Sequence, residues 1–286
     1  MKRDLFLPSL TCLLVVSCSV QNYDTPDTNA SSQDVFHAYL ESYSEPDTRV
    51  YINEKIKILW DAKDQISLFN ETTRNQQYEF KGATGDNSGN FKIVYDPFAT
   101  GNPLPYVCAV YPYMSSTQID NKDVLTVKFP AEQIYREGSF GRGANTMVSV
   151  TEKDPLMFKN AGGYLVLKFY GKDVFISSVT LEGRNEEPLS GNATWKPVVG
   201  AVPEFTFAST AGNSITLTCN DPVTLGETKE ESTVFWMVVP PTTFKKGFKL
   251  SVTGADGESF TKETDKELSV ARNTLLRISP IEVEFN

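Results

Sequence analysis

Cys18 is the residue with the plainest chemistry. It closes the apolar run LLVVSC (13–18), where Val15, Val16 and Ser17 precede it, and the chain turns polar at once in SVQNY. A thiol so placed can be a core group, half of a disulfide, or the acceptor of a lipid. Ahead of it stand Lys2 and Arg3, then a mostly apolar stretch from Leu5 to Val16. That stretch is too short to span a bilayer but suits the apolar region of a secretory signal. A lipoprotein signal needs a small residue beside the scissile bond, here Ser17, and a thiol free to take a diacylglycerol. The pattern predicts a signal peptide over 1–17, cleavage between Ser17 and Cys18, and lipidation of Cys18. Acyl chains such as palmitate, two or three on one residue, exceed what stable anchoring requires, since each buried methylene contributes about 0.8 kcal/mol.

The remaining reactive side chains point away from catalysis. His37 is the only histidine, so neither a Ser-His-Asp or Cys-His device nor a multi-histidine zinc site is expected beyond it. The acid pairs Glu186-Glu187 and Glu230-Glu231 are adjacent, and neighbours on a strand face opposite ways, which does not suit the paired carboxylates of glycoside hydrolysis. GSFGRG (138–143) lacks the spacing of a nucleotide-binding loop and has no helix after it. DNSGN (86–90) offers calcium-like side chains without a closing glutamate, and reads as a turn. Cys12 leaves with the signal, so Cys108 and Cys219 alone remain to pair; 111 positions apart in sequence, they read as two buried thiols. Neither an enzyme, a cofactor nor a metal is expected.

The elements that carry these residues are strands, because the apolar period past residue 50 is two almost everywhere. Leu125, Val127 and Phe129 alternate with polar neighbours, as do Val179 and Leu181, Ile215, Leu217 and Cys219, Phe248, Leu250 and Val252, and Ile281, Val283 and Phe285. One wet face and one buried face are the mark of antiparallel sheets packed in sandwiches. Turn signals separate them at 85–90, 171–172 and 254–258. QDVFHAYLESY (33–43) alone has apolar spacing that fits a helix as well as an extended segment. Trp60 and Trp236 read as core; Trp195, followed by Lys196 and Pro197, is the one tryptophan that a strand end displays.

Length and charge bound the partners. The chain has 286 residues and a net charge of −9, which suits two domains and disfavours nucleic acid and anionic lipid surfaces. Ser19 to Gln33 has no Val, Leu, Ile or Met between Val20 and Val35 and reads as a tether over 18–33. A break at KDPLMFKNAGG (153–163) divides the rest into 34–157 and 158–286. YVCAVYPY (106–113) and VFWMVVPP (234–241), both apolar strands ending at proline, are a faint echo between the two halves.

Several of these segments, in order, resemble the fimbrillins, the pilins and related surface lipoproteins of bacteroidete bacteria. KILWDAKDQISLFN (57–70) is similar to the family's tryptophan-acid-x-x-Asp-x-Ile-x-x-Phe segment, AVYPY (109–113) to its aromatic-proline strand end, and SFGRGANTMVS (139–149) to the loop before its second domain. FKNAGGYLVLKF (158–169), ISSVTLEG (176–183), LSGNATW (189–195) and the stretch 238–264 follow in the family's order. The resemblance implies an all-β protein of two tandem transthyretin-like β-sandwich domains, following a signal peptide and flexible tether. It implies lipid anchoring in the outer membrane, surface exposure or a place in fimbriae, and a role in adhesion with other fimbrillin subunits or a surface receptor as partners.

In such pili a protease removes the first strand and a strand of the next subunit fills the groove. The resemblance makes Arg49, in EPDTRVYINE (45–54), the candidate site of proteolytic maturation, with QDVFHAYLESY as the removable element; the other reading of Arg49 is an exposed loop charge. Residues 281–285 are either a donor strand or the completion of the second sandwich. Completion is the expectation, and with it an anchoring or accessory subunit. The alternative from another class is a glycan-binding surface lipoprotein using Trp195.

Overall fold

The structure, a computed structural model, describes residues 34–41, 58–94 and 103–285. Cys18, Ser17, Arg49 and the tether lie outside the described residues. The first half contributes β1 (Val35–Leu40), β2 (Gln65–Phe69), β3 (Gln76–Phe80), β4 (Ser88–Ile93), β5 (Val107–Tyr111), β6 (Gln118–Ile119), β7 (Leu125–Phe129), β8 (Glu132–Ile134), β9 (Met147–Thr151) and β10 (Leu156–Asn160). The second contributes β11 (Gly163–Tyr170), β12 (Phe175–Gly183), β13 (Gly191–Trp195), β14 (Thr206–Phe207), β15 (Ser214–Thr224), β16 (Thr233–Val239), β17 (Thr242–Phe244), β18 (Phe248–Gly254), β19 (Ser259–Glu263), β20 (Leu268–Val270), β21 (Leu275–Arg277) and β22 (Ile281–Glu282). The fold is all-β. Among the described residues the helical structure is one 3-10 turn at Lys229–Glu231.

Alternation sets the faces as expected. β7 buries Leu125, Val127 and Phe129 and turns Thr126 and Lys128 outward; β18 does the same with Phe248, Leu250 and Val252. The segment at 33–43 that fits both periods is extended over Val35–Leu40, with Phe36 and Ala38 buried. The turn expected at 86–90 is displaced. Thr84 and Gly85 make the turn, Asp86 bridges Trp60, and Ser88 to Asn90 already run in β4. Gly89 is needed inside that strand because a Cβ there would meet the Phe80 ring at 2.7 Å.

Seven strands close a barrel in the order β1-β10-β9-β5-β2-β3-β4. A sheet β16-β11-β21, with β22 also on β11, stands beside it. The others are β19-β18-β12-β15-β8, β14-β13-β7-β6 and the pair β17-β20. Pairing is not antiparallel throughout: β1 with β10, β8 with β15, and both β21 and β22 with β11 are parallel. Alternation reports a buried face but not the direction of the neighbour, and parallel neighbours come from distant chain.

Three cores result. One lies inside the barrel around Trp60, Phe80, Phe91 and Phe158. A second lies between the β16-β11-β21 sheet and β12, β15 and β18. A third sits outside β2, β5 and β9, under β7 and β13. Two strands are shared between cores. In β11, Leu165, Leu167 and Phe169 face the second core while Tyr164 and Val166 face the barrel. In β5, Val107, Ala109 and Tyr111 face the barrel while Cys108 and Val110 face the third. That is why YLVLKFY and VCAVY are continuous apolar runs rather than alternating ones.

The halves also exchange strands. β7 pairs with β13 over five residue pairs from Leu125↔Trp195 to Phe129↔Gly191, and β8 adds to β15. The position 157/158 lies within β10. At the other end, β22 pairs with β11 through Phe169↔Ile281 and Tyr170↔Glu282, Ile281 and Val283 are buried in the second core, and Phe285 packs on it.

Candidate functional site

β1 is the element on which the sequence expectations converge. Val35, Phe36 and Tyr39 favour an extended chain, and the strand is held on both edges. Against β4 it runs antiparallel from Val35↔Lys92 to Tyr39↔Ser88; against β10 it runs parallel from Ala38↔Leu156 to Leu40↔Phe158. Phe36 is 6% exposed and Ala38 fully buried, and Leu40 packs on the same core. The Phe36 ring meets Tyr78 edge-on at 5.6 Å. The outward residues are polar or amphipathic. The His37 amide donates to Asp154 Oδ1 at 2.7 Å. Its Nδ1 lies 2.8 Å from Asn90 Oδ1, and its ring meets Tyr39 at 4.7 Å. The one histidine thus serves a strand edge.

Beyond Leu40 the chain is clamped. The Glu41 amide donates to Phe158 O at 3.0 Å. The Glu41 carboxylate accepts from the Asn160 amide and from Arg272 Nη1, the latter at 2.5 Å. Arg272 Nη1 also donates to Asn160 O at 3.0 Å. The Asn160 side chain is buried, accepting from Asn145 Nδ2 at 2.7 Å and donating to Asn273 Oδ1 at 2.8 Å. Gly162-Gly163 makes this approach feasible. A Cβ on Gly163 would run into Ala271 O, and the Asn273 amide donates to Gly162 O at 2.8 Å. In the sequence the glycine pair marks only a boundary, and Glu41 and Arg272, 231 positions apart, leave no local trace.

A second cluster unites two segments named in the family resemblance. Asp61 and Asp64, from WDAKD, meet Arg136 and Arg142, which flank and lie within GSFGRG. Arg136 grips Asp61 with both terminal nitrogens, at 2.6 and 3.1 Å, and Arg142 Nε donates to Asp64 Oδ1 at 2.8 Å. Tyr111 OH donates to the same oxygen at 3.2 Å and accepts from the Gly143 amide at 3.3 Å. Trp60, Tyr111 and Phe140 help line a cavity of about 380 Å³ here. Burial pushes the Asp64 carboxyl above its ordinary range despite the Asp61 amide and Arg142. Arg142 is itself pulled down by burial, but the hydrogen bond and charge of Asp64, with Tyr111 and Asp61, leave it raised. Every charge in the cluster has an opposite partner, and the two ion pairs pin the 136–145 loop to the barrel mouth.

Other candidates are structural in this geometry. Cys108 and Cys219 are free thiols buried in different cores; burial pushes them to about 12 and about 11, and a thiol held protonated is not a nucleophile. Glu187 is buried and accepts from the Asn185 and Lys245 amides, while Glu186 sits in the turn at φ 56°. Glu231 accepts from Thr228 Oγ1 at 3.0 Å in the 3-10 turn that also holds Glu230. Among the described residues no group of three or more His, Cys, Asp or Glu side chains is placed to hold a metal. Trp60 is core, ringed by Phe80, Phe91, Tyr111 and Phe158 at 5.0–5.8 Å between centroids. Trp236 is half-buried against the barrel core. Trp195 is half-buried too, and lines a groove of about 410 Å³ with Pro155, Met157 and Val199.

Comparison with known proteins adds the following. No family model matches the chain, and no curated protein matches it. Among solved structures the chain is similar to a "putative cell adhesion protein" from Bacteroides ovatus, at 14% identity over 86% of this chain and 91% of that one, with a TM-score of 0.49. It is similar to another so described from Bacteroides uniformis, at 16% identity over 78% and 88%, TM-score 0.47. A third is the tip fimbrial protein Mfa3 from Porphyromonas gingivalis, at 10% identity over 85% and 94%, TM-score 0.30. At such identities and overlaps, function has to be read from the chain's own residues.

Proposed function

We propose that this chain is a fimbrillin-like surface lipoprotein, lipidated at Cys18 after cleavage behind Ser17 and held in the outer membrane, that serves as a component or anchor of fimbriae in adhesion. Its strand β1 is a replaceable element, released by cleavage after Arg49. The observation that carries this reading is the position of β1: it is the first strand of the chain described, it completes the barrel through two ladders, and it fills the barrel core with Phe36, Ala38 and Leu40. Its removal exposes apolar pockets and two rows of unpaired backbone groups, which is the substrate for β-strand addition. The pairing of β22 with β11 favours residues 281–285 as the completion of their own sandwich over a donor strand.

The finer description of the fold belongs to the same reading: two tandem transthyretin-like sandwiches, 34–157 and 158–286, that trade β7 and β8 for pairing across the division. The test is to treat the unlipidated full chain with an arginine-specific protease. Cleavage at Arg49 followed by a ladder of oligomers supports assembly by strand addition. A product that stays intact and monomeric sinks that version and leaves an anchored adhesin.

A second reading, a glycan-binding lipoprotein, is favoured by the groove at Trp195. Binding on a sugar array that is lost on Trp195→Ala, with unchanged folding, supports it; no binding at all removes it.

A further inference from the structure

The seam at which β1 ends, where Glu41, Asn160 and Arg272 meet, does more than hold one strand in place. Glu41 and Arg272 are both about four-fifths buried, with side-chain exposures of 20% and 21%. Among the described residues no other carboxylate forms an ion pair with Arg272. Arg272 also donates to the Asn160 carbonyl. Asn160 is 1% exposed, so an apolar residue in place of Glu41 would leave its amide buried and unpaired, which carries a desolvation penalty of its own. The receptor for the carboxylate is therefore built from two segments far apart in the chain: the amide from the end of β10 and the guanidinium from the 271–273 loop, which Gly163 admits.

The chemistry also addresses a problem that alternation by itself leaves open. Side-chain alternation in the slot fixes parity: a slip of one residue turns Phe36 and Ala38 out of the core. A slip of two keeps every apolar residue facing inward, and alternation does not oppose it. Such a slip moves the acid by about 7 Å along the strand, out of reach of Arg272 and the Asn160 amide. A charge-assisted contact at one end of the slot is thus a register pin, and it reads the sequence of whatever lies there.

We propose that the slot between β4 and β10 is a peptide-binding site selective for an extended segment with a carboxylate at the position of Glu41, Arg272 and the Asn160 amide being the groups that recognise it. This rests on the reading that β1 is replaceable. The segment it takes runs antiparallel to β4 and parallel to β10. It carries a large apolar residue at the Phe36 position, a small one at Ala38, an aliphatic one at Leu40, and the acid directly after.

The test uses the full chain carrying a specific protease site within 42–57, cleaved after folding, with fluorescent peptides of the sequence 34–43 as probes. The native peptide is expected to exchange into the slot. Its Glu41→Gln version is expected to bind about tenfold more weakly or worse, and Glu41→Lys weaker again. On an Arg272→Met chain the Glu and Gln peptides are expected to bind alike. Equal binding of the Glu and Gln peptides to the unmutated cleaved chain overturns the proposal while leaving β1 replaceable. Failure of the native peptide to enter the slot at all overturns both. Because the decisive comparison changes only the peptide, it stands even where Arg272→Met fails to fold.

Discussion

Burial decides what each reactive residue can do. Asp64 shows the sign of the effect. Its carboxyl is raised above the ordinary value of 3.8, chiefly by burial, so the folded state binds the proton more tightly than the unfolded chain does. Its contribution to stability is fully present below about pH 3.8 and is lost as pH rises through the raised value. Denaturant unfolding across acid pH should therefore show the stability of wild type relative to Asp64→Asn falling as pH increases through that window. A relative stability that rises with pH would mean that attraction to Arg142 outweighs burial. The thiols give a second expectation. Cys108 and Cys219 should resist a thiol reagent at neutral pH in the folded protein and react with it in denaturant, since burial holds both protonated. Trp60 is 1% exposed at the centre of the barrel, and Trp60→Ala should lower the unfolding free energy by about 3–5 kcal/mol, measured in denaturant. That tryptophan was legible as core from its spacing with Ile58. The partners of Asp61 and Asp64 were not, because Arg136 and Arg142 are more than seventy positions away.

Elements differ in how many of their faces are buried. β7 and β18 alternate because one face meets water, and alternation was enough to place them. β11 is apolar on both faces because two cores use it. Leu167→Ala should cost about 2–5 kcal/mol, and Val166→Ala, one position away on the opposite face, should also destabilise by a core-like amount. In a one-sided strand, adjacent truncations would differ sharply. β1 presented the reverse difficulty. Its spacing suited helix or strand alike, and the choice was made by waiting ladders on β4 and β10 and by the pocket for Phe36, which no local propensity records.

At the scale of the whole molecule the halves are interdependent. The barrel packs on one face of the β16-β11-β21 sheet, β7 pairs with β13, and β8 extends the sheet of β15. Calorimetry of the full chain should show one unfolding transition. The fragments 34–157 and 158–286 made separately should fail to fold, the first for want of β13 and half of β10, the second for want of β8; two independent transitions would contradict this coupling. The sequence by itself determined the all-β character, the faces of the alternating strands and the core placement of Trp60, because each depends on residue type and short-range period. Tertiary structure alone decided which strands are neighbours, which pairs run parallel, that β5 and β11 serve two cores, and that Glu41 meets Arg272. Those are contacts between residues far apart in the chain, and they are selected by the fit of whole surfaces, which no local pattern encodes.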